Sequence, residues 1–312
     1  MIFCPEAQPY PRDLVGYGAH PPDPRWPGSA RIAVSLVLNV EEGGEYSVLH
    51  GDAHSETALT DMDRPAALMG ARNLNVESNF GYGSRVGFWE VMRLLKSRGI
   101  DMTVYAVGMA LERNPDIAAA LRDWGVEVAC HGYRWIDYHG VDEATERAHM
   151  ARCIEVVTRM VGRAPVGWYT GRPSINTRRL AVETGQFLYD SDAYDDDLPY
   201  WLKVGECHHL VLPYSFDNND SRMNRSQGFE TGDDFFQYVS AAFDWLYASG
   251  EAGRPRMMSV GLHPRIIGRP GRINALARLI DHMQSRDKVW FAPREDIARH
   301  WSHEFPAEAA LP

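Results

Sequence analysis

The stretch RIAVSLVLNV (31–40), followed by EEGGE (41–45), decides the fold class. Residues 31–40 form an apolar run of strand length. They lack the alternation of apolar and polar residues of a half-exposed strand, which predicts a strand covered on both faces. Two adjacent carboxylates, Glu41 and Glu42, then end the run. Because like charges repel each other in a poorly hydrated place, this ending indicates a reaction centre rather than ordinary packing.

Strand-like and helix-like segments alternate along the rest of the chain. The further strand-like runs are 101–108, 126–131, 164–170, 187–192, 209–214, 256–263 and 288–292. Segments with helical spacing, such as 87–99 and 142–162, lie between them. This alternation predicts a parallel α/β architecture, and seven or eight βα units favour a closed barrel over an open sheet. We predict one barrel domain (31–305), with an N-terminal arm (1–30) and a short tail (306–312).

Composition excludes several classes of function. The formal net charge of −10 argues against a nucleic-acid groove, which needs clustered Lys and Arg. No apolar run approaches the roughly 18 residues of a membrane span. The N-terminal residues lack the basic and apolar regions of an export signal, and the four cysteines show no CxxC spacing. These features predict a cytoplasmic protein with reduced thiols.

Polar residues follow the ends of several predicted strands. In parallel α/β barrels the carboxyl ends of the strands share one rim, where active sites lie. Each residue alone has an ordinary explanation, such as a hydrogen-bonded structural histidine or a surface ion pair. The joint pattern predicts one site at this rim. Its candidates are Asn39, Glu41, Glu42, His131, Arg172, Asp190, Asp192 and His263.

Longer motifs support this interpretation. EEGGE (41–45), HGYRWIDY (131–138), GWYTGR (167–172), YDSDAYDDDLPYW (189–201) and GLHPRIIGRP (261–270) occur in this order. They resemble the polysaccharide deacetylase (NodB homology) superfamily, and more narrowly its allantoinase branch, to which cyclic imide hydrolases are similar. The resemblance runs from about residue 10 to residue 301. It implies a distorted, seven-stranded (β/α) barrel that hydrolyses an amide-type C–N bond.

The resemblance also bears on metal binding. Metal-dependent members of the superfamily have an Asp pair at the position of Glu41 and Glu42, and a second histidine four residues after the first. Here the residue four positions after His131 is Trp135, whose indole has no lone pair for a metal. We therefore predict no catalytic metal and no other cofactor.

Catalytic roles can be assigned by the same resemblance. Glu41 matches the base that activates the attacking water, and Arg172 matches the arginine that orients this base and keeps it ionised. His263 matches the acid that protonates the leaving nitrogen. The resemblance does not assign the other two residues. We expect His131 to polarise the carbonyl group or to stabilise the tetrahedral oxyanion, and Asp192 to pair with a histidine and fix its tautomer.

The substrate is less well defined by the sequence. The segment NVESNFGYGSR (75–85) is expected to form a pocket loop that departs from the usual pattern of the allantoinase branch. The expected substrate-binding residues are Glu42, Glu77, Phe80, Tyr82, Trp135, Trp168 and Asp192. The first hypothesis is ring opening of a cyclic ureide, a hydantoin or a cyclic imide. The alternatives are deacetylation of an N-acetyl sugar and a non-catalytic binding protein. The resemblance also implies a homo-oligomer, possibly a tetramer.

Overall fold

One curled sheet of nine strands forms the centre of the computed structural model, which describes residues 11–63, 65–225 and 227–307. The strands are β1 (Ile32–Val40), β2 (Thr103–Ala106), β3 (Glu127–Cys130), β4 (Gly167–Trp168), β5 (Tyr189–Asp190), β6 (Tyr200–Val204), β7 (Cys207–Val211), β8 (Arg256–Leu262) and β9 (Val289–Phe291). Their order is β6-β7-β5-β4-β3-β2-β1-β8, with β9 paired to β1 off this path. The β6–β7 pair is antiparallel and the other pairs are parallel.

Strand β1 organises the sheet. All nine of its residues are buried, as the apolar run predicts. Strand β8 pairs with β1 from Ile32 to Leu38, and β2 pairs with it from Val37 to Val40. Because the neighbouring strands are parallel to β1, the residues that follow β1, β3, β4, β5 and β8 meet at one edge of the sheet.

The sheet does not close into a complete barrel. No strand ladder joins the end strands β6 and β8 among the described residues, and a cavity of about 480 Å³, partly lined by Tyr214, opens at the seam between β8 and the segment that follows β7. Arg294 spans the seam, since its guanidinium donates to the carbonyls of Leu212 and Pro213 beyond β7 and to the Ser259 hydroxyl in β8. The predicted distorted barrel is confirmed as an α/β half-barrel with nine strands instead of seven.

The helices cover the outside of the sheet. They are α1 (Leu74–Tyr82), α2 (Phe88–Ser97), α3 (Gly108–Arg113), α4 (Pro115–Trp124), α5 (Glu143–Val161), α6 (Thr177–Glu183), α7 (Gly232–Glu251), α8 (Pro264–Ile267), α9 (Pro270–Gln284) and α10 (Arg294–Glu304). The helix predicted at 142–162 is confirmed as α5. The Asp142 side chain caps its first turn, and Gly162, at a φ of 79°, ends it in the left-handed conformation.

The segment predicted as a pocket loop at 75–85 is helical instead. Helix α1 begins after Asn73, whose side chain accepts a hydrogen bond from the Val76 amide, and a π-helical turn (Gly83–Gly87) joins α1 to α2. Val76 and Phe80 are four residues apart and both are buried. This single apolar pair fixes one face of α1 but is too short a pattern to predict a helix.

Neighbouring residues at the end of β4 point into different layers. Trp168 packs against Phe187 in the core between sheet and helices, at a ring-centroid distance of 5.4 Å. Tyr169 points into the half-barrel, where it packs with Tyr105 and Tyr214. Because successive side chains of a strand alternate between faces, Trp168 is directed away from the interior. Its predicted place in the substrate pocket is therefore wrong.

The described part of the N-terminal arm packs on the other end of the sheet. Trp26 is buried against Trp290 and Trp301, and its indole N–H donates to the Arg256 carbonyl at 3.1 Å. The first ten residues of the predicted arm and residues 308–312 of the predicted tail lie outside the described residues. Within the described ranges, no helix has the length and apolar character needed to cross a membrane.

Candidate active site

Glu41 lies at the centre of a buried charged cluster at the carboxyl edge of the sheet. Its Oε1 lies 3.0 Å from Nε2 of His131 and 3.6 Å from Nε2 of His263. Its Oε2 accepts a hydrogen bond from Nη2 of Arg265 at 2.6 Å. The structure therefore brings together three of the four predicted catalytic residues, Glu41, His131 and His263.

The arginine on this carboxylate is Arg265, which sequence reasoning missed. Arg265 is fully buried, and its Nη1 also donates to Oε1 of Glu42 at 3.1 Å. It lies in α8, the single turn that follows β8, so one strand end supplies both His263 and Arg265. The prediction that Arg172 orients Glu41 is wrong. The available signal was the position of Arg265 in GLHPRIIGRP, two residues after His263.

Two glycines allow the carboxylates to sit where they do. Gly43 follows them with a φ of 99°, a conformation that side chains with a Cβ rarely adopt. At Gly83, in the π-helical turn, a Cβ would overlap the Glu42 carboxylate and approach the backbone nitrogen of Arg265. The turn and the strand end can therefore pack this closely only around glycine.

The two histidines are held by different partners. Nδ1 of His131 lies 3.0 Å from the Tyr169 carbonyl oxygen, and its Nε2 faces Glu41. Since a carbonyl and an ionised carboxylate only accept hydrogen bonds, both contacts form together when the ring carries two protons. His263 places Nδ1 2.6 Å from Oδ1 of Asp220, a fully buried carboxylate that also accepts the His263 backbone N–H.

Asp192 does not have the predicted histidine partner. Its carboxylate accepts the backbone N–H groups of Thr170 and Gly171, at 3.0 and 2.7 Å. Asp192 thus fixes the turn that precedes Arg172. The nearby carboxylate that faces a histidine is Asp190, which lies 3.0 Å from Nε2 of His209.

Burial and neighbouring charges shift the pKa values of the residues in the cluster in different directions. Burial alone would raise the pKa of Glu41, but the charges of Arg265 and the two histidines outweigh burial and hold this pKa well below its ordinary value. Burial raises the pKa of Glu42, and the charge of Glu41 adds to this effect. Burial lowers the pKa of His263, but Asp220 and Glu41 outweigh it, so that the net pKa is raised. Glu41 is therefore ionised at neutral pH, and the protonated form of His263 is favoured.

An aromatic wall lies beside the cluster. The Trp135 ring is buried and packs against Phe80, at a centroid distance of 5.9 Å. The guanidinium carbon of Arg265 lies 4.2 Å from the Phe80 centroid and 5.2 Å from that of Trp135. The guanidinium carbon of Arg172 lies 3.9 Å from the Trp135 centroid. Trp135 and Phe80 thus lie beside the Glu41 cluster, and Arg172 lies on the same indole ring.

Two other predicted pocket residues lie elsewhere on α1. Glu77 forms an ion pair with Arg72, at 2.6 Å between Oε2 and Nη2, on a solvent-accessible face. The Tyr82 ring packs against Arg269, with the guanidinium carbon 3.8 Å from the ring centroid. Tyr82 is two residues after Phe80 and projects from another side of α1, whereas Glu77 is drawn to the surface by Arg72. The predicted placement of Glu77 and Tyr82 against the substrate is therefore corrected.

The donor set of this cluster does not suit a divalent cation. Arg265 already binds both Glu41 and Glu42, and its positive charge opposes a second cation there. Trp135 has no lone pair to complete a shell around His131. Across the described ranges, no group of three or more His, Cys, Asp or Glu side chains is arranged to hold a metal ion.

Comparison with known proteins identifies the family. The sequence profile described as polysaccharide deacetylase matches residues 74–185. A putative polysaccharide deacetylase of Schizosaccharomyces pombe is 41% identical over 316 aligned residues, which cover 96% of this chain and 99% of that protein. The chain belongs to the polysaccharide deacetylase family.

Solved structures of similar proteins extend this finding. A probable polysaccharide deacetylase from Pseudomonas aeruginosa PAO1 is 56% identical, with a TM-score of 0.93, 95% of this chain covered and 99% of that chain covered. PuuE allantoinase is 54% identical, with the same TM-score and the same two coverages. These comparisons confirm the predicted family resemblance and its fold. This member of the polysaccharide deacetylase family is thus a hydrolase that acts on carbon–nitrogen bonds.

Proposed function

We propose that this hydrolase opens a cyclic amide by hydrolysis of a ring C–N bond in a cyclic ureide, a hydantoin or a cyclic imide. The observation that carries the proposal is the position of Arg265, whose guanidinium binds both Glu41 and Glu42 and so puts a fixed positive charge where metal-dependent members of the superfamily hold a cation. The 54% identity with PuuE allantoinase over nearly the whole chain supports the same substrate class.

The geometry suggests how the ring would open. Water held by Glu41 attacks the ring carbonyl carbon, one water proton passes to Glu41, and His131 donates to the oxygen that becomes negative. The C–N bond breaks as the nitrogen takes the bond electrons and a proton from His263. The proton on Glu41 then passes to His263, since Oε1 and Nε2 are 3.6 Å apart, and both groups are restored.

Glu41 needs to become more basic during this reaction. The charges that keep it ionised also weaken it as a base, since they lower its pKa. His131 contributes to this effect through its hydrogen bond to Oε1. When the substrate carbonyl accepts that N–H instead, one cause of the low pKa is removed. Substrate binding therefore strengthens the base at the moment when it is used.

Substrate access requires a local movement. Glu41, Glu42 and His263 are all nearly inaccessible to solvent. The segment between β1 and α1, described over 46–63 and 65–73, lies against the cluster, where the Leu59 carbonyl accepts a hydrogen bond from Nε of Arg265 at 2.9 Å. Among its described residues this segment has one short 3₁₀ turn and neither an α-helix nor a strand. We infer that displacement of this segment admits the substrate.

Deacetylation of an N-acetyl sugar is the second candidate. The names of the S. pombe relative and the P. aeruginosa structure favour it. The arginine that binds both carboxylates argues against it, because its positive charge opposes the cation that metal-dependent deacetylation uses. Metal independence, a cytoplasmic location and a homo-oligomeric state, possibly a tetramer, remain predictions that accompany the first candidate.

A substrate screen tests the proposal. Purified protein is incubated with allantoin, hydantoin, succinimide, glutarimide and chitooligosaccharides, and ring opening and acetate release are measured separately. We expect at least one ring to be opened and the rate to survive exhaustive chelation. Acetate release from the sugars alone would reject the proposal. Loss of activity on chelation that zinc restores would reject the metal-free mechanism.

A further inference from the structure

Arg172 carries a guanidinium whose donors have no hydrogen-bonded partner among the described residues. The nearest carboxylate oxygen is Oε2 of Glu56, 3.9 Å from Nη1, which is too long for a hydrogen bond. The Arg172 side chain is nevertheless only 23% exposed. Partly buried arginines normally use their five N–H groups on protein acceptors, so this one is available to a ligand.

The guanidinium is also held in place before any ligand binds. It stacks on the Trp135 ring, with the carbon 3.9 Å from the ring centroid. Its backbone is fixed on both sides, because Asp192 accepts the N–H groups of Thr170 and Gly171, and the Arg172 carbonyl accepts the Tyr138 N–H at 3.1 Å. A ligand would therefore lose little affinity to the ordering of this side chain.

The position of Arg172 relates it to the reaction centre. The Trp135 ring that supports it also packs against Arg265, which holds Glu41. Arg172 is therefore two contacts away from Glu41, through Trp135 and Arg265, and it is Arg265 that holds Glu41. At this distance Arg172 is suited to a part of the substrate other than the carbonyl that reacts.

The charge of Glu56 defines what Arg172 can bind. Its Oε1 accepts the N–H groups of Thr57 and Ala58, both at 2.8 Å, while Oε2 is buried and has no hydrogen-bonded partner in the part of the chain that the structure describes. This carboxylate lies close enough to Arg172 to offset its charge without occupying its donors. A guanidinium whose N–H donors are available, but whose positive charge is partly neutralised by a nearby carboxylate, suits a neutral carbonyl oxygen better than a full anion.

We propose that Arg172 binds the second carbonyl oxygen of a ring that contains a –CO–NH–CO– unit, while the first carbonyl reacts at Glu41. This inference rests on the proposed function and narrows its substrate class. Imides and ureides have two such carbonyls, whereas a simple lactam has one. Two-carbonyl rings should therefore bind through Arg172, and one-carbonyl rings should not.

Equilibrium binding separates these two kinds of ring without turnover. The host is the full chain with Glu41→Gln, and the probes are succinimide, hydantoin and the lactam 2-pyrrolidinone, each titrated by calorimetry or ligand-observed NMR. Adding Arg172→Met should weaken binding of both two-carbonyl probes by about 10- to 100-fold, the range for a hydrogen bond to a charged group. Binding of the lactam should change by less than about threefold.

Matched controls keep this test decisive. Arg152, also near an aromatic ring (Tyr133, 5.9 Å), lies on the surface of α5, and Arg152→Met should leave all three affinities unchanged. Arg172→Gln is a second variant for the case in which Arg172→Met does not fold, as judged by thermal unfolding.

Three outcomes would overturn the inference. They are equal losses of affinity for imide and lactam, no loss of affinity for either, and no binding of the two-carbonyl probes to the Glu41→Gln host. Failure of wild-type turnover with intact probe discrimination would instead reject the proposed function alone.

Discussion

Replacement of Arg265 by methionine tests the buried cluster most directly. Methionine retains an unbranched apolar side chain but removes the charge, which leaves Glu41 and Glu42 without their shared cation. Removing one partner of a buried ion pair costs about 3–5 kcal/mol, because the remaining charge is left uncompensated. Since two carboxylates lose their partner here, we expect a loss of about 4–5 kcal/mol in the free energy of unfolding at pH 8.

The loss should depend on pH in a defined direction. In the wild type the pKa of Glu41 is lowered on folding, so Glu41 stabilises the fold above its unfolded-state pKa of about 4.3, and this contribution is lost as pH falls. In the variant, burial without Arg265 raises the pKa of both carboxyls, so protonation favours its folded state. The difference between wild type and variant should therefore be largest at pH 8 and shrink towards pH 4.5.

Urea unfolding at several pH values measures this difference. Arg294→Met is the matched control, because the equally buried Arg294 guanidinium has only neutral hydrogen-bond partners among the described residues. They are the Ser191 and Ser259 hydroxyls and the Leu212 and Pro213 carbonyls. Its cost should change little with pH. A loss below about 1 kcal/mol at pH 8 for Arg265→Met, or the same pH dependence in both variants, would refute the reasoning.

Three further results are expected. Glu41→Gln should lower kcat at least about 100-fold while substrate still binds, and a near-normal kcat would remove Glu41 from the role of base. The rate should fall at alkaline pH as His263 loses its proton. Asp220→Asn removes the main charge that raises the pKa of His263, so the alkaline limb of the pH–rate profile should move to lower pH. An unmoved limb would contradict the role of His263 as the acid. Burial and the charge of Asp190 raise the pKa of Asp192 to about 7. Because this carboxyl is protonated more readily in the folded state, the free energy of unfolding should fall by up to about 4 kcal/mol between about pH 4 and pH 7. Urea titrations of Asp192→Asn should lack this pH dependence.

The sequence was informative where a side chain directly follows a buried strand. Glu41, His131 and His263 occupy such positions, and parallel strands bring them to one edge whatever the paths of the helices between them. The family motifs contributed the same residues independently. The apolar run of β1 was equally clear, because a strand covered on both faces has an unbroken apolar sequence.

The sequence was less informative about partners that come from irregular segments. Asp220, the partner of His263, lies 43 residues earlier in the chain, in a 3₁₀ turn without a periodic pattern. Arg265 lies in a single helical turn, whose direction follows from packing against the Gly83–Gly87 turn. Arg172 was placed correctly at the rim but assigned the wrong partner, because sequence spacing does not reveal that it lies on the Trp135 ring.

The seam between β8 and the segment that follows β7 has a consequence for biosynthesis. Arg294, which bridges this seam, belongs to α10, the last α-helix that the structure describes. During synthesis, β8 therefore leaves the ribosome before Arg294, which follows the end of β8 by 32 residues. In that interval the unpaired edge of β8 can pair with other nascent chains. The contacts that bridge the seam through Arg294 can form only after α10 has been synthesised.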